Sequence, residues 1–301
     1  SYIYFNNYLL SKSRKVVIKM IIDGKSIAKK IKEDIKKEVS ELKSQGIHPG
    51  LAVILVGEDP ASKIYVNNKK KACEEVGINS KEYYLPYKIT QSELINLIEK
   101  LNSDKTVHGI LTQLPLPSHI NEFTISSCIS PQKDVDVFNP ENLGKLILNK
   151  SELIPCTPAG IIELLNYEKI SIEGKHCVVV GRSNIVGKPT AHLLTQKNGT
   201  VTLCHSKTKN LVDICRNADI LICAVGKSKF VTADMIKKGS VVIDVGINRT
   251  SDGKLCGDVD FENAKHIAEY ITPVPGGVGP MTIAMLMKNT VTAAKIQNKK
   301  I

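Results

Sequence analysis

The sequence predicts an α/β protein of two α/β domains, the second a Rossmann-like doubly wound parallel sheet, with a cleft between them. Three observations carry this. Short apolar runs alternate with helical patterns along the chain, the arrangement of βαβ units and therefore of parallel sheets. The 301 residues suffice for about two domains at roughly 100 to 200 residues each. A glycine turn, GRSNIVG (181–187), joins one apolar run to a helix.

The elements follow in order from Met20. Behind Asp23 and Ser26 as N-cap candidates, Ile27, Ile31, Ile35, Val39 and Leu42 recur at three- and four-residue spacing, an amphipathic helix that Gly46 ends. LAVILV (51–56) is a continuous apolar run cut off by Gly57, Asp59 and Pro60, as expected of a strand covered on both faces. A helix over about 61–76, a strand over 81–85, a helix over 91–102 and the strand GILTQ (109–113) complete the first set of βαβ units. From Pro115 to Pro158 the pattern is less periodic and reads as loops with short helices. The alternation restarts with HCVVV (176–180), VTLC (201–204), DILICAV (219–225) and SVVIDV (240–245), the doubly wound part. PVPGGVGP (273–280) then leads into a last helix, expected to pack back on the first domain and leave the glycine loop at the cleft. The expected division is 20–157 plus 281–301 for the first domain and 158–280 for the second.

Residues 1–19 contain Lys12, Arg14, Lys15 and Lys19 and no acid, so they hold +4 of the net +11, and four aromatics (Tyr2, Tyr4, Phe5, Tyr8). They read as an extension outside the fold: a tag, a misassigned start, a basic targeting or processed segment, or a structural arm. The composition, 42% apolar and 24% charged, excludes collagen, coiled coil and wholesale disorder. The positive charge suggests an anionic partner, which leaves nucleic acid, a membrane surface and a phosphorylated small molecule open. Scattered aromatics after residue 19 argue against nucleic acid, and no apolar run approaches the ~18–20 residues of a membrane span. Eight cysteines occur without a Cys-x-x-Cys pair, and the seven histidines form no ligand cluster, so no metal is expected. Free thiols suit a reducing, cytoplasmic compartment.

Gly181 to Gly187 between strand and helix lets backbone N–H groups and the helix N-terminus approach a pyrophosphate. Ser183 stands where Gly-x-Gly-x-x-Gly has its middle glycine, so the context carries the reading. After VTLC come His205, Ser206, Lys207 and Thr208, with no carboxylate for a ribose 2′-hydroxyl; with Arg182 across the turn, this set favours NADP over NAD. The alternative is that Ser206 and Thr208 cap the next helix.

Tyr65 and Lys69 are spaced i, i+4, so a helix puts both on one face. A lysine desolvated in a cleft can lose its charge and exchange a proton near neutral pH; Lys70 and Lys71 are expected to face water or an anionic ligand. Short-chain dehydrogenases carry a Tyr-x-x-x-Lys pair too, but after the nucleotide-binding glycines, whereas here it precedes Gly181. Gln113 ends the strand GILTQ, where open α/β sheets place ligand-contacting groups. Asp134 and Asp136 fall in a loop, and the adjacent glycines of PGGVGP allow a flat ligand to approach the backbone.

Together, YVNNKKKACEEVG (65–77), GILTQLPLP (109–117), KDVDVFNP (133–140), PCTP (155–158), GRSNIVGKP (181–189), CHSKT (204–208), DVGIN (244–248) and PVPGGVGPMT (273–282) closely resemble the bifunctional methylenetetrahydrofolate dehydrogenase/cyclohydrolase family, the FolD-type proteins. The resemblance runs from about residue 20 to the C-terminus. It implies NADP-dependent oxidation of 5,10-methylenetetrahydrofolate and hydrolysis of the methenyl product to 10-formyltetrahydrofolate in one cleft, serving one-carbon metabolism and purine biosynthesis. It also implies a homodimer formed through the second domain. By position, Lys69 matches the family's catalytic lysine, Tyr65 its stacking and positioning tyrosine, Gln113 the partner that tunes the lysine and Asp136 the acid that anchors the pterin. Gly181, Arg182, Ser183, Ser206 and Ile247 match cofactor contacts, and Pro275, Gly276 and Gly277 a substrate loop. The family usually has Gly where this chain has Val137; if that position needs φ > 0, a β-branched residue is strained there, which makes the placement of Asp136 the point to check. The nearest alternative is an enzyme of the same architecture with only one of the two activities; an amino-acid dehydrogenase and a silent NADP sensor fit less well. The length leaves no room for a separate formate-ligase domain, so a trifunctional enzyme is not expected.

Overall fold

The computed structural model describes residues 20–299, so the expected extension at 1–19 lies outside the described residues. The chain opens with β1 (Met20–Ile21) and α1 (Gly24–Ser44), the helix capped by the Asp23 side chain, which accepts from the Ser26 N–H at 3.0 Å. β2 (Gly50–Val56), α2 (Pro60–Val76), β3 (Asn79–Leu85), α3 (Gln91–Ser103) and β4 (Gly109–Thr112) follow, close to the ranges expected from periodicity. The strands form a parallel sheet in the order β3-β2-β4. β2 is buried throughout, and its residues alternate between two cores. Leu51, Val53 and Leu55 join α1 and α2, whereas Ala52, Ile54 and Val56 join α3. Burial of both faces explains why LAVILV is apolar without alternation.

The less periodic passage contains α4 (Glu122–Cys128) and α5 (Pro140–Ile147), and α6 (Cys156–Tyr167) leads out of it. β5 (His176–Val180), α7 (Gly187–Gln196), β6 (Thr200–Cys204), α8 (Leu211–Arg216), β7 (Ile220–Cys223) and β8 (Val241–Asp244) then build the larger sheet. A hairpin of β9 (Asn248–Arg249) and β10 (Leu255–Cys256), the short α9 (Phe261–Ala264), β11 (Tyr270–Ile271) and α10 (Val278–Asn298) complete the described chain. The large sheet is parallel, in the order β1-β11-β8-β7-β5-β6. From β5 the chain winds to β6 on one side and to β7 on the other, which puts the topological switch point at the carboxyl ends of β5 and β7.

One core is continuous between the two sheets. Leu164 and Leu165 of α6, Met281 and Met287 of α10 and Val179 and Ile222 of the large sheet belong to it, together with Val53 of the small one. α10 packs on α1, α2 and α6, so its non-polar residues are buried around most of its circumference. The first residues behave differently from the sequence reading, which assigned Met20 onward to the first domain: Met20–Ile21 pairs in parallel with Tyr270–Ile271 in the large sheet. A two-residue strand has no periodicity of its own, and only the partner strand defines it.

Candidate active site

α2 starts behind Asp59, whose carboxylate accepts from the Ser62 N–H at 2.8 Å, and ends at Gly77, where φ is 85°. Val66, Ala72, Cys73 and Val76 bury one side of the helix. The register brings Lys69 to the rim of the cleft, half-buried, with Tyr65 one turn earlier and 39% exposed, while Lys70 and Lys71 face outward.

Gln113 follows the last residue of β4. Its backbone N–H donates to Ile54 O at 2.8 Å, and its side-chain Nε2 donates to Leu114 O at 3.0 Å. The amide is thereby oriented, and Oε1 accepts from Lys69 Nζ at 2.8 Å. Lys69, Gln113 and Asp136 line one cavity of about 160 Å³. Cys156 and Phe138 contribute to it, as does a pair of hydroxyls, Thr157 on α6 and Thr282 on α10, 2.9 Å apart. Ile185 and Val186, from the turn after β5, close it from the other sheet.

The loop carrying Asp136 is built on a buried neighbour. The Asp134 carboxylate accepts from Phe138 N (3.2 Å), Asn139 N (2.9 Å) and Asn142 Nδ2 (3.0 Å). Burial nonetheless outweighs these donors and pushes its pKa up to about 6. Val137 lies at φ 61° with its side chain wholly buried, so the glycine-favouring conformation is present and Asp136 still reaches the cavity. Burial raises the Asp136 carboxyl, with the Lys69 charge pulling it back. Cys156 Sγ donates to Asp136 Oδ1 at 3.7 Å, and burial beside that acid holds the thiol well above its ordinary pKa.

At the switch point, Gly181 has φ 127°, and a Cβ there would run into Ala224 O; a Cβ on Gly187 would run into Gly181 O. Ser183 Oγ accepts from the N–H groups of Val186 and Gly187, 3.2 Å each, and so caps the turn that a glycine fills in the common motif. Arg182 and Ser206 are exposed, and Ile247 is half-exposed in the loop after β8. Neither Ser206 nor Thr208 caps α8: Thr208 Oγ accepts from His205 N at 2.8 Å, and α8 begins after Asn210 without a side-chain cap. Pro275, Gly276 and Gly277 lie outside the cavity lining, against the start of α1, where Gly276 O accepts from Lys25 N at 3.0 Å. Among the described residues no group of three His, Cys, Asp or Glu side chains is placed to hold a metal ion, and the eight cysteines are free thiols.

A family model described as the tetrahydrofolate dehydrogenase/cyclohydrolase catalytic domain matches residues 22–136, and one described as the NAD(P)-binding domain of the same family matches residues 155–298. The chain belongs to the tetrahydrofolate dehydrogenase/cyclohydrolase family. The bifunctional protein FolD of Acetivibrio thermocellus is 60% identical over 279 residues, which are 93% of this chain and 98% of that protein. The crystal structure of the FolD methylenetetrahydrofolate dehydrogenase/cyclohydrolase from Campylobacter jejuni is 52% identical, with a TM-score of 0.91 over 92% of this chain and 99% of that one. A Trypanosoma brucei FolD complexed with NADP cofactor and inhibitor is 39% identical, with a TM-score of 0.90 over 94% and 99%.

Several residues of this candidate site in a tetrahydrofolate dehydrogenase/cyclohydrolase family member escaped the sequence reading. Cys156 and Thr157 lie within PCTP and Thr282 within PGGVGPMT, so the motifs held the signal although the side chains were not singled out. Asn289 had no signal. From α10 it donates to Val135 O (2.8 Å) and Ile154 O (2.7 Å), tying the segments that carry Asp136 and Cys156.

Proposed function

We propose that this protein oxidises 5,10-methylenetetrahydrofolate to the methenyl form with NADP and hydrolyses that product to 10-formyltetrahydrofolate. The observation that carries the proposal is the Lys69–Gln113 hydrogen bond inside a cavity that the turn after β5 also lines.

The residues around the switch point suit a dinucleotide: Gly181 and Gly187 keep the turn free of Cβ atoms that would block it, and Arg182 and Ser206 stand exposed beside it. In this reading Gly181, Arg182, Ser183, Ser206 and Ile247 hold NADP, with Arg182 and Ser206 toward the 2′-phosphate. A bound NADP would supply the hydride acceptor for oxidation of the methylene carbon. The protein supplies orientation. Asp136 anchors the pterin, Tyr65 stacks on the folate, and Pro275, Gly276 and Gly277, outside the cavity lining, contact the part of the substrate that extends beyond it.

In the hydrolytic half, water adds to the methenyl carbon and loses a proton. The carbon–N5 bond then breaks as N5 gains a proton and the remaining hydroxyl gives up its own to become the formyl oxygen, so that one proton is released overall. Lys69 is the group placed to move the proton that water loses, and Gln113 Oε1 fixes the direction of its amine. A homodimer through the second domain and a cytoplasmic location complete the proposal; size-exclusion chromatography with light scattering tests the former. The function is tested by following absorbance with methylenetetrahydrofolate and either NADP or NAD. Methenyl formation with NADP, followed by its decay, supports both activities; formation without decay, or no formation, overturns the bifunctional reading.

A further inference from the structure

Asp258, between β10 and α9, has no place in the motifs above, yet its carboxylate is the most heavily hydrogen-bonded in the described chain. It is 0% exposed. Oδ2 accepts from the N–H groups of Val225 (2.6 Å) and Gly226 (3.0 Å), and Oδ1 accepts from Lys227 N (2.9 Å) and Asn248 Nδ2 (2.9 Å). Three successive backbone N–H groups thus wrap one carboxylate, the geometry of an anion nest.

The donors come from two segments. Residues 225–227 follow β7 and continue from Ala224, whose carbonyl sits against Gly181. Asn248 opens β9 directly after Ile247, which ends the loop after β8, and on the other side of Ile247 a Cβ on Gly246 would strike Asp258 Oδ1. Ile247, 50% exposed, is therefore bracketed by two residues that rest on Asp258. A second buried carboxylate supports the clamp from below: Asp244 accepts from Gly246 N (3.0 Å), Asp258 N (2.9 Å) and Val259 N (2.9 Å).

We infer that Asp258 is a positioning residue for the cofactor, fixing the loops after β7 and β8 so that Ile247 and the backbone beside Gly181 form a preorganised nucleotide surface. The inference rests on the NADP reading of the switch point. It does not depend on Lys69, which lies in the other part of the cleft. An Asn at 258 keeps the shape but turns an NH₂ toward two of the four donors, leaving them unpaired.

The test measures NADPH binding by nicotinamide fluorescence titration, together with hydrolysis of added methenyltetrahydrofolate in the absence of nucleotide. Asp258→Asn is expected to raise the NADPH Kd at least ~10-fold, the loss typical of hydrogen bonds to a charged group, with hydrolysis within about twofold of wild type. Asn248→Ala removes one donor beside Ile247 and is expected to raise Kd several-fold with the same unchanged hydrolysis; it decides the question if Asp258→Asn does not fold. Unaltered Kd in the folded variants, or Kd and hydrolysis impaired in proportion, overturns the inference. Wild-type protein that fails to bind NADPH at all instead overturns the NADP reading beneath it.

Discussion

Lys69 Nζ donates to Gln113 Oε1 at 2.8 Å, joining a helix and a strand end that lie 44 residues apart in sequence. The Gln113 amide cannot turn over without losing its bond to Leu114 O, so the acceptor presented to the lysine is fixed by the chain just beyond β4. Gln113→Ala removes that acceptor. Loss of a hydrogen bond to a charged group predicts about a tenfold or greater fall in methenyltetrahydrofolate hydrolysis, read from the decay of methenyl absorbance. An unchanged rate would mean that the pair does not act in hydrolysis.

In the proposed reading, cofactor choice rests on Arg182 and Ser206, both exposed at the carboxyl end of the large sheet. Replacing both with Ala is expected to raise the KM for NADP at least ~10-fold while changing that for NAD far less, because only NADP carries the 2′-phosphate. Equal effects on the two nucleotides would contradict the assignment.

Asp134 links the site to pH. Its folded-state pKa of about 6 lies above the ordinary 3.8, so the folded protein binds the proton more tightly than the unfolded chain. Its contribution to stability is complete below about pH 4 and is lost as pH rises through about 6. Urea unfolding at pH 4 and pH 7 should show a drop for wild type that is larger than for Asp134→Asn by a few kcal/mol, since each pKa unit is about 1.4 kcal/mol. Parallel pH profiles would show that the carboxyl is not perturbed in this way.

Val137 sets strain against burial. The left-handed conformation costs an ordinary residue roughly 1–2 kcal/mol, and burying a valine contributes roughly 1.5–3 kcal/mol. Burial wins, so Val137→Gly is expected to lower Tm by about 2–4 °C rather than raise it. A higher Tm for the glycine variant would show that strain dominates.

What could be read from the sequence, and what could not, divides by range. HCVVV and LAVILV were legible because both faces of those strands are covered, and the i, i+4 spacing of Tyr65 and Lys69 because a helix fixes it. Gln113 was legible from its place at a strand end, and the backbone demand at Val137 from a departure within a motif. β1 was not legible, since its two residues become a strand only beside Tyr270–Ile271. The same holds for Asn289 and Asp258, whose partners lie on other elements. An isolated Asn on an apolar helix or an Asp before a helix looks like a surface or capping residue until the chain has closed around it.

The central claim is that Lys69 moves the proton in hydrolysis. Its most direct test is the rate of methenyltetrahydrofolate hydrolysis by Lys69→Met, measured beside wild type on folded protein. The account predicts a loss of at least the ~10²-fold typical of removing a general acid–base group. Hydrolysis at a near wild-type rate would contradict it and remove Lys69 from the mechanism.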